Sequence, residues 1–138
     1  LIVVDEYLAI RSLLGVLPEG LPDEPLAITT SAHWRLLQRV HAPAGGQLSQ
    51  ALSALPASDR EALRFPHREV LDVLDPRPRL DEAAQIAARF GKTGWLIAET
   101  VTAGLTYGGQ LWFGSDRNVG VRLREIADEL GVEIHIAA

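Results

Sequence analysis

Two acids in this 138-residue chain stand where an α/β protein would do chemistry: Asp5, directly after the apolar run LIVV, and Asp116, in the turn SDRN that follows QLWFG. A short apolar run ended by a carboxylate is the pattern of a buried parallel strand that delivers its acid at the strand's C-terminal end. If the two strands are neighbours, the carboxylates converge without a basic partner. Their repulsion must then be relieved by a proton or a divalent cation. Mg²⁺ or Mn²⁺ is the natural occupant, since such ions are held by one or two carboxylates together with substrate phosphates. Metal-assisted phosphodiester hydrolysis is the reaction class that follows. The plainer roles are those of an N-cap for Asp5, with Glu6 exposed beside it, and of an ordinary turn residue for Asp116.

Other chemistries find no footing. The chain has no cysteine, which excludes disulfides, thiolate zinc sites and a cysteine nucleophile. His33, His41, His67 and His135 show no paired spacing on one helical face. The glycine pairs at 45–46 and 108–109 belong to no phosphate loop, no GxGxxG follows the first strand, and no GxSxG elbow occurs. Trp34, Trp95 and Trp112 each lie in an apolar segment and read as core or interface aromatics. A net charge of −5 argues against a simple electrostatic nucleic-acid clamp, though not against a nuclease whose acids bind metal. No apolar run approaches the ~18 to 20 residues of a membrane span, and LIVV is too short for a signal peptide, so a soluble, cytoplasmic protein is expected.

The elements that must position these acids can be read in order. Strands are expected at LIVV, at LAIT (26–29), within EVLDVLDP (69–76), at QLWFG (110–114) and at VEIHIA (132–137). Helices follow in EYLAIRSLLGVL, in AHWRLLQRVHA after the capping residues Thr29, Thr30 and Ser31, in LDEAAQIAARFG, in TGWLIAETVTAGLTYGG and in VGVRLREIADELG. Val101 and Thr102 are β-branched and weaken the fourth of these. Two short helices flanking Pro56 suggest a helical hairpin around 47–65 within a single domain spanning 1–138. Strands alternating with helices predict a three-layer α/β/α architecture with a mostly parallel sheet of four to five strands. Right-handed crossovers would put every strand's carboxyl end, and both acids, along one edge.

In the order of these pieces the chain resembles the PIN-domain family, which includes ribonuclease toxins of the VapC type. The resemblance lies in LIVVDEYLAI, LAITTSAHWRLLQ, DEAAQIAARFG, and GGQLWFGSDRN followed by LGVEIHI. It implies an endoribonuclease holding Mg²⁺ or Mn²⁺ on three or four acids, an RNA substrate, a small antitoxin partner and a homodimer. Asp5 and Asp116 match the first and last acids, and Glu99 is the nearest acid to a third. Arg35 stands where the family carries a Glu. The resemblance therefore assigns Asp5, Glu99 and Asp116 to the metal and to catalysis, and Arg35, Thr29 and Asn118 to substrate. The alternative it leaves is a catalytically degenerate PIN-like binding or regulatory module, in which Arg35 pairs with Asp5, Glu99 or Asp116.

Overall fold

Residues 1–91 and 93–138 are described by a computed structural model. Ile2–Val4 form the central strand β1, and strand alternation sends Ile2 and Val4 into one core while Val3 enters the other. Around it lie β2 (Leu26–Thr29), β3 (Asp72–Leu74), β4 (Gln110–Phe113) and β5 (Glu133–Ile136), in the order β3-β2-β1-β4-β5. Every pairing is parallel. Strands buried on both faces must be apolar throughout, which is why LIVV and LAIT carry no alternation in the sequence.

Helices cover both faces. On one side α1 (Glu6–Leu13), α2 (Thr30–His41) and α3 (Gly46–Ser53) pack Leu8, Leu36 and Leu52 against Ile2, Val4 and Ile28. On the other, α5 (Leu80–Arg89), α6 (Trp95–Thr106) and α7 (Val121–Leu130) pack Ile86, Val101 and Ile126 against Val3, Ala27, Leu111 and Phe113. The short α4 (Ala57–Ala62) follows α3 and buries none of its own residues. The three-layer architecture agrees with the alternation of elements in the sequence. Among the described residues no helix is long and apolar enough to cross a membrane.

Helix α6 is buried through its middle and tolerates its threonines for a local reason. Thr100, Thr102 and Thr106 each donate their hydroxyl to the carbonyl four residues back, at 2.7, 2.6 and 3.0 Å. Their polar atoms are thereby satisfied inside the helix's own ladder. The expectation for the tryptophans holds as a core role only in part. Trp112 stacks on His135 with ring centroids 4.5 Å apart, whereas Trp34 and Trp95 remain 59% and 47% exposed. Both stand in segments that look apolar but occupy the outward stripe of their helices.

Successive strands step from β1 outward through β2 to β3, and the chain then returns to build β4 and β5 on the other flank of β1. The reversal leaves a switch point between β1 and β4, where α/β folds of this kind form their crevices. There β4 ends against the start of α1 so closely that a Cβ on Gly114 would lie 2.8 Å from Tyr7 Cβ and 3.2 Å from the Leu8 nitrogen. Gly114→Ala is therefore expected to lower stability in urea denaturation by about 1–3 kcal/mol. Gly20→Ala, into open space, should change it by less than about 1 kcal/mol.

Candidate functional site

Asp5 caps α1 from the end of β1. Its Oδ1 accepts from Leu8 N–H at 2.9 Å and from Gly114 N–H at 3.0 Å, and its Oδ2 accepts from Asn118 Nδ2 at 2.9 Å. The carboxylate is thus fixed by the first turn of α1, by the residue after β4 and by the 3-10 turn Asp116–Asn118. Burial pushes its pKa up to about 6, and the neighbouring Glu6 charge adds to the rise, while the three donated hydrogen bonds oppose it.

Glu6 is buried, contrary to its expected exposure, because the first turn of α1 is closed over by α2 and by the 3-10 turn. Its Oε2 accepts from Arg35 Nη1 and from Asn118 Nδ2, both at 2.9 Å. Arg35 Nη1 also donates to Asn118 Oδ1 at 3.1 Å. Asn118 therefore gives both of its N–H groups to the two acids and receives one from the guanidinium. The result is a closed circuit of Asn118, Glu6 and Arg35, with Asp5 joined to it through Asn118.

Glu99 and Asp116 lie outside that circuit. Glu99 projects from α6 onto the N-terminus of α2, where its Oε1 accepts from the Ser31 N–H and the Ser31 hydroxyl, each at 2.7 Å. It satisfies one of the free amides of the first helical turn and lies at the positive end of the helix dipole. Its Oε2 is buried and finds no hydrogen-bond partner among the described residues. Asp116 turns outward, its side chain 77% exposed and paired with Arg124 at 3.0 Å. The expected convergence of Asp116 with Asp5 is thus not found, although β1 and β4 are neighbours. The 3-10 turn presents Asn118 to Asp5 instead. Thr29 caps α2 by accepting from Ala32 N–H at 3.2 Å, as its capping role requires.

Asp5, Glu6, Arg35 and Asn118 form the polar side of a cavity of about 410 Å³ whose other wall is apolar, including Leu96 and Phe113. That volume lies within the usual range for small-ligand pockets. The acids that the resemblance assigns to Mg²⁺ or Mn²⁺ each have protein partners here. Asp5 is committed to three N–H donors, Glu99 to a helix terminus and Asp116 to Arg124, and among the described residues no three His, Asp or Glu form a cation-holding group. Sequence reasoning missed Glu6 as a site residue. Its only signal was the adjacency of two acids at a buried strand end. Comparison with family models, curated proteins and solved structures returns no match.

A raised carboxylate pKa means that the folded state holds its proton more tightly than the unfolded chain, so ionisation costs folding free energy. Stability should fall as pH rises from about 4 to about 6, by roughly 3 kcal/mol from this group. Denaturation of Asp5→Asn across the same window should lack that component. A second comparison separates the roles of the charges: Arg35→Ala strands Glu6 in a buried place and should cost about 2–4 kcal/mol. Asp116→Ala removes an exposed pair and should cost less than about 1 kcal/mol.

Proposed function

We propose that the chain is a PIN-like binding module that holds its ligand without hydrolysing it, the ligand being RNA on the same resemblance. One observation carries the reading. Where the resemblance expects an acid, the Arg35 guanidinium bridges Glu6 and Asn118 at 2.9 and 3.1 Å. A positive charge at that place supplies what a divalent cation would supply to the paired acids, and it does so with hydrogen bonds already made. Arg35 pairs with Glu6 rather than with the acids expected of a degenerate site, but the electrostatic consequence is the same. The crevice then offers shape, an apolar wall and hydrogen-bonding edges, which suit binding.

The competing reading is a Mg²⁺- or Mn²⁺-dependent endoribonuclease of toxin type, inhibited by an antitoxin. It draws on Asp5 at the end of the central strand, a position both readings share. Titration calorimetry with Mn²⁺ and incubation with several RNAs distinguish them. The unmodified protein is expected to take up no Mn²⁺ and to leave RNA intact, whereas Arg35→Glu should gain measurable Mn²⁺ uptake by adding a carboxylate beside Asp5 and Glu6. Mn²⁺-dependent cleavage by the unmodified protein, abolished in Asp5→Asn, would overturn the binding reading.

A further inference from the structure

Helix α2 carries a second surface that the crevice does not account for. Ser31, Trp34, Arg35, Gln38 and Arg39 recur at i, i+3, i+4, i+7 and i+8, which places them along one face. Together with Trp95 from the first turn of α6 they line an open groove of about 380 Å³. Neither indole is core. Trp34 and Trp95, both in its lining, stand 59% and 47% exposed. Large aromatic faces left in water at one place mark a surface that a partner covers.

The charge of the groove narrows the partner. The chain as a whole carries −5, yet α2 contains no Asp or Glu, and no acid lines the groove. Arg39 makes no ion pair among the described residues. Arg35 uses only Nη1 toward Glu6 and Asn118, so its Nε and Nη2 have no protein partner among them. Arg35 and Arg39 are one helical turn apart, about 6 Å along the axis. Flat aromatic faces in one lining with guanidinium groups and a side-chain amide match a polymer that alternates stackable rings with phosphates.

We infer that this α2–α6 groove is a binding site for single-stranded nucleic acid, with bases stacked on Trp34 and Trp95 and phosphates on Arg35 and Arg39. The inference rests on the non-cleaving reading for its expectation that the strand stays whole, and on the groove alone for the site. A duplex is the wrong ligand, because its bases are stacked on one another and their faces cannot reach an indole.

Fluorescence anisotropy with an end-labelled ten-nucleotide single-stranded RNA, in the presence of a chelator, tests the site apart from any cleavage. The unmodified protein should bind it, and Trp34→Ala and Trp95→Ala should each weaken binding by about 5- to 100-fold, in line with the loss of one stacked base. Both residues are exposed, so circular dichroism should show the fold unchanged. Arg39→Ala should lower the slope of log K against log salt by about 0.7, the value for one phosphate contact on a single strand. The blunt duplex of the same sequence should bind at least ~10-fold more weakly. The site is overturned if the unmodified protein fails to bind, if both tryptophan variants bind unchanged, or if the duplex is preferred. It is also overturned if sedimentation shows a dimer that Trp34→Ala converts to monomer, since a second copy would then be the occupant. Repeating the measurement with Mn²⁺ keeps the two readings apart. Cleavage of a strand that still depends on the tryptophans removes the non-cleaving reading and leaves the groove, whereas tryptophan-independent behaviour with no cleavage removes the groove alone.

Discussion

Two adjacent carboxylates, Asp5 and Glu6, are buried side by side at the carboxyl end of the central strand, and much of the surrounding structure exists to satisfy them. A buried ion left unpaired costs several kcal/mol, so each oxygen must find a donor. The donors come from four places: the first turn of α1, the residue after β4, the 3-10 turn beyond it and the middle of α2. These segments belong to both flanks of the sheet. Satisfying the acids therefore ties the β2 side to the β4 side across the switch point, where the parallel ladder alone leaves a crevice.

The same logic governs Glu99. Its carboxylate sits on a free amide of α2 as Asp5 sits on one of α1, so two helices begin against an anion, supplied by the chain's own N-cap in α1 and by a distant helix in α2. Helix termini favour negative charge through their aligned peptide dipoles. In a site built to hold a cation, carboxylate oxygens would have to remain free and face a common point. Here both oxygens of Asp5, Oε2 of Glu6 and Oε1 of Glu99 accept from backbone N–H groups, one Asn amide, one Ser hydroxyl and one guanidinium. Arg35 pairs with Glu6, Asn118 bridges the two acids, and an apolar wall completes the crevice.

Much of the fold was legible because its signals are local. LIVV and LAIT read as buried strands from composition alone, and the helix between Leu80 and Arg89 from its apolar spacing and the glycine after it. Asp5 was legible for the same reason, as the first polar residue after a central strand. Asp116 and Asn118 were not, because the outcome turns on the pitch of a short turn. With three residues per turn, positions two apart point in different directions, so the turn that faces Asn118 to Asp5 faces Asp116 away. Glu6 was misjudged through distance in sequence. Nothing local to Glu6 says that an arginine 29 residues later will cover it. Trp34 and Trp95 fall between: hydrophobicity suggested burial, while the helical stripe that Trp34 shares with Arg35 and Arg39 is visible in the sequence once the bounds of α2 are known, and the meeting of that stripe with Trp95 of α6 is not.

Arg35 belongs to both surfaces, and this has an energetic consequence. One nitrogen holds Glu6 and Asn118 inside the crevice, and the same residue lines the groove together with Trp34 and Trp95. An anion in the groove that drew the guanidinium outward would lengthen its bonds to Glu6 and Asn118. The repulsion between Asp5 and Glu6 would then rise, and a proton on Asp5 would become more favourable. Binding in the groove and the charge state of the crevice are thus linked through a single side chain. Linkage of this kind is reciprocal, so whatever neutralised Asp5 would free Arg35 for the groove by the same free energy.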